Sequence, residues 1–201
     1  MEIVDKHRCP WPGEDPLCMR YHDEEWGVPN HEDAQHFEFL VLESAQAGLS
    51  WLTILRKREN YRSAYKGFDP EKVSKFEDNK IEQLLDDEGI VRNRRKVEAS
   101  VINAKRLLAI KLEFGSFDSY LWQFVENKPV LNTWKTISAI PAKTELSDKV
   151  SKDLKTRGFK FIGSTIIYAY LQAVGVVNDH ITSCFRYREI NNLGAAKKRS
   201  H

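Results

Sequence analysis

Residues 81–108 read IEQLLDDEGIVRNRRKVEASVINAKRLL, and this stretch predicts two helices joined by a short turn. Ile81, Leu84 and Leu85 form an apolar face before the turn, and Gly89 is typical of a helix end. After the turn, apolar residues recur in steps of three or four: Val97, Val101, Ala104, Leu108 and Leu112. The pattern predicts a helical hairpin over about 81–113.

The turn of this hairpin is positively charged. Free backbone N–H groups at a helix start form an anion site, and guanidinium groups nearby strengthen it for phosphate. Gly89, Ile90, Arg92 and Arg94 are therefore candidates to hold a DNA backbone without reading its sequence. Taken alone, the motif fits an ordinary turn with a solvated basic face better.

The rest of the chain is also helical in pattern. Apolar residues follow helical spacing from Asp33 to Gly48, and further helices are predicted after Trp51 and across 164–174. No convincing alternating strand appears. We expect an all-α fold with one domain over 1–190, a helical core at about 31–175 and a mobile tail at 191–201.

Composition excludes several classes of protein. Apolar residues make up 41% of the 201, enough for a packed core, and no apolar run approaches the ~20 residues of a membrane span. Three cysteines are too few for a disulfide scaffold or for the four thiolates of a typical iron–sulfur cluster. With no apolar signal-peptide stretch near the N-terminus, these features predict a cytoplasmic protein. We expect a monomer, since nothing in the sequence suggests a larger assembly.

Glu43 is an unusual residue for its position. It directly follows four apolar residues in a helix that is predicted to be buried nearly all round, so it needs a partner or a function. The alternative is that its side chain pairs with an arginine or reaches solvent. Gly48 and Leu49 then end the helix, and Trp51 starts the next.

Histidine and cysteine suggest a metal site near the C-terminus. In VVNDHITSC (176–184), His180 and Cys184 are four residues apart, and each is a good ligand for a soft or borderline metal. Such a pair is more often accidental. Two further ligands could come from the aromatic N-terminal segment, but spacing alone does not choose Cys9 over Cys18, or His22 over His7.

Several motifs together resemble the 3-methyladenine-DNA glycosylase I family. They occur in the family's order over roughly residues 8–187, which makes the resemblance far more specific than any single motif. The motifs are RCPWPGEDPL, YHDEEWGVP, LESAQAGLSWLTIL, KRENYR, FDPEKV, GIVRNRRK, and RGFKFIGSTIIYAYLQAVGVVNDH with the His-x₃-Cys that follows.

The resemblance implies a helix-hairpin-helix glycosylase that binds double-stranded DNA containing 3-methyladenine. It implies a structural Zn²⁺ that joins segments 8–30 and 176–187. The zinc ligands that it implies are Cys9, His22, His180 and Cys184.

The resemblance also implies the residues of a base site. Glu43 matches the carboxylate that contacts the methylated base, Tyr21 and Trp51 match aromatic residues of the pocket, and Trp11 is expected in its wall. Gly48 and Leu49 match the segment that fills the gap left by the extruded nucleotide. Cys18 is a departure, because many members have tyrosine there, so the substrate preference could differ.

The implied reaction is hydrolysis of the N-glycosidic bond with no lyase step, since no lysine occupies a matching position. Asp118 fits a turn or helix cap better than a catalytic carboxylate. Two alternatives remain: a zinc hydrolase, which would need an open coordination position, and a non-catalytic DNA-damage-binding protein of the same fold.

Overall fold

The computed structural model describes residues 6–196 and confirms the all-α fold. Within those residues, ten α-helices are joined by short turns and three 3₁₀ segments. The helices are α1 Pro16–Glu24, α2 Asp33–Gln46, α3 Trp51–Ala64, α4 Pro70–Val73, α5 Asp78–Asp86, α6 Arg94–Phe114, α7 Phe117–Trp122, α8 Glu145–Thr156, α9 Ser164–Ala173 and α10 Phe185–Ala196.

Helix α2 lies at the centre of the molecule. All ten residues from 36 to 45 are buried, because α3, α6, α7 and α9 pack around the helix. An α-helix that is covered on every side is expected to be mostly apolar all round. Glu43 is one of the few carboxyl groups in this interior, and α2 therefore places it in a largely dehydrated setting.

The hairpin forms from α5 and α6, as the sequence predicts. Asn93 caps α6, its side chain accepting a hydrogen bond from the amide of Lys96. One detail of the prediction is wrong: Leu112 is 90% exposed. In the second half of α6 the buried residues are Leu107 and Ile110, three positions apart. Helix α7 packs against α6, and Leu112 lies outside the buried face.

A small parallel ladder joins the middle of the chain to its C-terminal region. Strand β1, Val130–Leu131, pairs with strand β2, Val177–Asn178, with Val130 opposite Val177. These strands are only two residues long, too short to show an alternating pattern in the sequence. They attach the segment after α7 to the residues that precede α10.

The C-terminal region is more ordered at its start than the sequence suggests. Of the predicted mobile tail, residues 191–196 continue α10, and Asn191 accepts a hydrogen bond from Asn178 Nδ2 at 2.7 Å. Residues 197–201 lie outside the described residues. No helix among residues 6–196 is long and apolar enough to span a bilayer.

Candidate functional site

Four buried side chains from opposite ends of the chain converge on one point. They are Cys9, His22, His180 and Cys184, here called the metal quartet, and their ligand atoms lie within 4.8 Å of one another. Cys184 Sγ is 3.5 Å from His22 Nε2 and 3.5 Å from His180 Nδ1, and Cys9 Sγ is 3.6 Å from His180 Nδ1. These four residues could hold a metal ion.

The separations suit a tetrahedral ion. Bonds of about 2.3 Å to sulfur and about 2.0 Å to nitrogen place neighbouring ligand atoms roughly 3.6 Å apart. Both histidines also have their second ring nitrogen engaged: His22 Nδ1 lies 2.8 Å from Asp23 Oδ1, and His180 Nε2 lies 3.0 Å from the carbonyl of Trp26. Such contacts fix the tautomer that presents a lone pair to a metal.

The surroundings hold the quartet in place. Arg8 donates to both carboxylate oxygens of Asp23, which in turn orients His22. Gly27 has a φ of +80° and a Cβ there would lie 3.2 Å from the His180 ring, so glycine permits the close approach.

The pKa values of the two thiols in the quartet shift in opposite directions. Hydrogen bonding from Cys9, with help from His180 and His22, lowers the pKa of Cys184, whereas the contact with Cys184 and burial raise the pKa of Cys9. Both sulfurs would have to be thiolates to act as metal ligands.

An aromatic pocket of about 370 Å³ lies between α1, α2, α3 and α9. It brings together the four residues that the sequence assigned to a base site: Trp11, Tyr21, Glu43 and Trp51. The other lining residues are Trp26, Gln46, Ile137, Ile140, Pro141, Ala142, Thr165, Tyr168, Ala169 and Gln172. This size and its mostly apolar lining suit a planar heterocycle.

Three polar atoms of this pocket are buried without a partner. Trp11 Nε1, Tyr21 OH and Trp51 Nε1 make no hydrogen bond within the described part of the chain. Buried polar groups are nearly always satisfied in folded proteins, so these atoms are available to hydrogen-bond a molecule that enters the cavity. The Tyr21 and Trp51 rings lie 5.1 Å apart, with their planes inclined by 52°.

Glu43 is the ionisable carboxyl group of the pocket. Its side chain is 5% exposed and has no hydrogen bond or ion pair to any residue in 6–196. Burial raises the pKa of Glu43 to about 8. The neighbouring Glu38 differs, because Arg58 and Arg62 pair with it at 2.7 Å and 2.8 Å. The sequence left open that an arginine pairs with Glu43; in the structure the nearby arginines pair with Glu38 instead.

Several pocket residues were not identified from the sequence. Trp26 links the two sites, since its ring is 5.2 Å from Trp11 and 4.6 Å from His180. Tyr168 and Gln172 lie one turn apart on α9 and form a wall, a placement that their spacing alone could have suggested. The loop 137–142 has no recognisable sequence pattern. It reaches the pocket because the preceding strand β1 pairs with β2, a contact between residues far apart in the sequence.

Cys18 is buried in α1 but is not among the lining residues of the aromatic pocket. It is also not among the four residues of the metal quartet. Burial, reinforced by Asp15, raises the pKa of the Cys18 thiol.

The predicted wedge, Gly48 and Leu49, forms a turn between α2 and α3. Gly48 adopts a φ of +82°, and Leu49 is 42% exposed beside the pocket-bearing helices. Lys96 of α6 holds this turn in place. Its Nζ donates hydrogen bonds to the carbonyl oxygens of Ala45 at 2.8 Å and Ala47 at 2.6 Å. Lys96 is thus engaged within the protein.

The hairpin presents its positive charge to solvent. Arg92 and Arg94 are about half exposed, and they pair with Glu88 at 3.5 Å and Glu82 at 2.7 Å. The amides of Gly89 and Ile90 already donate to Asp87.

The first two amides of α6 are open instead. Those of Arg94 and Arg95 have no acceptor within residues 6–196, as expected at a helix start. These amides and the exposed guanidinium groups make this helix end the candidate phosphate contact.

Asp118 lies away from the pocket lining. It occupies the first turn of α7, and its carboxylate lies 3.0 Å from His31 Nδ1 and 3.2 Å from His36 Nε2. Burial opposes its ionisation, but these two histidines lower the pKa of Asp118. This geometry fits the structural role that the sequence suggested.

Comparison with known proteins gives a consistent result. The family model described as methyladenine glycosylase matches residues 11–187. The DNA-3-methyladenine glycosylase 1 of Escherichia coli (strain K12) is 46% identical over 180 residues, which cover 90% of this chain and 96% of that protein.

Solved structures agree with this result. A crystal structure of 3-methyladenine DNA glycosylase I superimposes with a TM-score of 0.87 at 46% identity, covering 89% of this chain and 98% of that one. The Staphylococcus aureus enzyme, solved to explain 3-methyladenine recognition, gives 0.86 at 38% identity, covering 89% of this chain and 95% of its own. By matched length, identity and fold, this chain belongs to the methyladenine glycosylase family.

Proposed function

We propose that this chain is a DNA-3-methyladenine glycosylase that extrudes the alkylated base from duplex DNA and hydrolyses its N-glycosidic bond. The observation that carries this proposal is the unpaired Glu43 within an aromatic pocket where Trp11 Nε1, Tyr21 OH and Trp51 Nε1 also have no partner among the described residues. Such a pocket is suited to a flat, positively charged ring with exocyclic N–H groups.

The chemistry of the substrate explains this choice of residues. Methylation at N3 gives adenine in DNA a positive charge, and the electrons of the glycosidic bond neutralise the base as it leaves. Protonation of the leaving base is therefore unnecessary, so the pocket needs to select and hold a cation. Tyr21 and Trp51 provide aromatic faces for it, and Glu43 provides a carboxyl group that accepts its N–H groups.

Selectivity follows from the raised pKa of Glu43. In the empty pocket a carboxyl with a pKa of about 8 is mostly protonated at neutral pH. A cationic base favours the carboxylate and releases that proton, because an opposite charge nearby lowers a carboxyl pKa. Normal adenine is neutral, so the carboxyl stays protonated beside it and the attraction between opposite charges is missing, which makes adenine bind less well.

Access to the base requires the duplex to open. We assign Leu49, with Gly48, to the gap in the base stack, since apolar side chains stabilise such openings. The N-terminus of α6, with Arg92 and Arg94, is assigned to the phosphates on the basis of its open amides and exposed charge. The lining of the pocket contains no lysine among the described residues, which supports a monofunctional hydrolase without a lyase step.

The metal is proposed to be Zn²⁺ in a structural role. Two thiolates and two imidazoles at tetrahedral spacing are typical of structural zinc, and four protein ligands leave no position for a catalytic water. The fit argues against the zinc hydrolase. Such an ion would fix α1 and its pocket aromatics against the end of the chain.

One copy of the chain is proposed to be sufficient. All lining residues of the pocket come from a single domain that begins before α1 and includes α9, so no partner is needed to complete the site. We further propose a cytoplasmic location, where the protein would reach chromosomal DNA.

The test is base release from methylated duplex DNA. We expect the wild-type protein to liberate free 3-methyladenine and to leave abasic sites without strand breaks, scored by chromatography and by gel electrophoresis before and after alkali. Glu43→Gln should reduce release strongly, and Glu14→Gln, a change of an exposed carboxylate, should not. Tight binding of methylated DNA without release would instead establish a damage-binding protein.

A further inference from the structure

Asp179 is a buried carboxylate whose role the pocket and the quartet do not explain. It lies between Asn178 and the metal ligand His180 and is 1% exposed. Within residues 6–196 no lysine or arginine pairs with it; instead, four neutral donors converge on its two oxygens. They are Asn132 Nδ2 at 2.6 Å and Trp134 Nε1 at 2.7 Å on Oδ1, with Tyr168 OH at 2.5 Å and Gln172 Nε2 at 2.7 Å on Oδ2.

Two of these donors belong to one wall of the aromatic pocket. Tyr168 and Gln172 are four residues apart on α9, so they lie on the same face of the helix. Both line the pocket, together with Thr165 and Ala169 of that face. The hydrogen bonds to Asp179 therefore determine how these two side chains present their inner edges to a bound base.

The other two donors control a second wall. Asn132 and Trp134 directly precede the segment 137–142, which contributes Ile137, Ile140 and their neighbours to the pocket. Within this segment, residues 137–139, 141 and 142 are exposed, so it is little buried by the rest of the protein. The carbonyl of Trp134 accepts from the amide of Thr182, again next to the metal quartet.

Stability alone does not explain a buried carboxylate at this position. Burying a charge without a counterion is unfavourable unless every lone pair is satisfied, and apolar residues often fill such sites equally well. The advantage of Asp179 is geometric, since one rigid group accepts donors from two separate walls. Strong hydrogen bonds to a charged acceptor then hold both walls at a fixed separation.

We propose that Asp179 is a positioning residue that sets the pocket width between the α9 wall and the 137–142 wall, and so determines which alkylated purines fit. The inference rests on the proposed function for the identity of the ligand. One extra methylene in an apolar pocket changes selectivity by about 10- to 200-fold, but only where the walls do not yield. Asp179 supplies that rigidity without touching the base.

The experiment measures the binding of two free bases that differ by one methylene, 3-methyladenine and 3-ethyladenine. Quenching of tryptophan fluorescence gives both dissociation constants, and the readout is their ratio. Asp179→Asn keeps the shape but turns an NH₂ group toward two of the donors. We expect 3-methyladenine to bind several-fold more weakly and the preference over 3-ethyladenine to fall at least fivefold.

A matched control separates positioning from general loss of stability. Asp153 accepts from Tyr120 OH at 2.6 Å and from Arg157 Nε at 2.8 Å, and none of these three residues lines the pocket. Asp153→Asn should lower the unfolding midpoint and leave the preference between the two bases unchanged. The preference should also fall in Tyr168→Phe, which removes one donor and keeps the ring.

The base preference of the folded variants tests the proposed role of Asp179. An unchanged preference in folded Asp179→Asn protein would overturn the proposal. If that variant does not fold, Tyr168→Phe and Trp134→Phe, one for each wall, take its place, and an unchanged preference in both overturns it. If the wild-type protein binds the free base but releases none from DNA, the proposed function fails, whereas this inference still stands or falls on the binding ratio.

Discussion

Glu43→Gln should stabilise the folded protein while it damages the proposed function. The carboxyl is buried without a partner, and its pKa is raised from 4.5 to about 8. A group with a raised pKa in the folded state binds its proton more tightly there than in the unfolded chain. Its stability is therefore highest below the unfolded pKa and is lost as the pH rises toward the folded value. The amide of glutamine does not titrate and avoids this loss.

The size of the effect follows from the two pKa values. One pKa unit corresponds to about 1.4 kcal/mol, so the wild-type carboxyl destabilises the fold by roughly 3 kcal/mol near neutral pH and by about 5 kcal/mol above the folded pKa. At about pH 5 the cost is only about 1 kcal/mol. The advantage of Glu43→Gln over wild type should thus grow by about 4 kcal/mol between about pH 5 and about pH 9.

Urea unfolding at a series of pH values measures this difference directly. The free energies of unfolding of wild type and Glu43→Gln are compared at each pH, so that titrations elsewhere in the chain cancel. Glu14→Gln, a change of an exposed carboxyl, provides the matched control and should run parallel to wild type. A Glu43→Gln advantage that does not change with pH would refute the reasoning, because it would mean that the carboxyl is not desolvated.

Two further predictions concern the metal quartet and the wedge. Cys184→Ser should lower the free energy of unfolding by at least about 3 kcal/mol, part of the roughly 10 kcal/mol that structural zinc can contribute in small domains, and metal analysis should show less than one bound ion. A variant with full metal content and wild-type stability would contradict the quartet. Lys96→Met removes the donor to the Ala45 and Ala47 carbonyls, so base release from methylated duplex should fall several-fold, whereas release from a methylated single strand, which has no stack to open, should change little. An equal loss on both substrates would argue against a role in supporting the turn.

Much of the fold could be predicted because its signals are local. Helical spacing and helix ends identify the hairpin and α2, since each depends on residues within a few turns of one another. The prediction fails at Leu112, where the choice of buried face depends on the position of α7. The ladder between β1 and β2 left no local pattern, because two residues cannot alternate.

The candidate site was only partly accessible from the sequence. Glu43 attracted attention because a carboxyl interrupts an apolar run, a contrast that is visible without coordinates. Its lack of a partner was not visible, since Arg58 and Arg62 could have reached Glu43 as readily as Glu38 by spacing alone.

By itself, the sequence determined the helices, the basic hairpin turn and the ligand types available for a metal. Spacing left open whether Cys9 or Cys18, and His22 or His7, would join His180 and Cys184; the family resemblance implied Cys9 and His22, and only the tertiary structure brought the ligand atoms of these four residues together. It alone placed Asp179 between two walls of the pocket. The reason is physical: a helix is held by contacts between near neighbours in the chain, whereas a closed metal shell or a pocket is defined by distances between side chains far apart in sequence, which only the packing of the core sets.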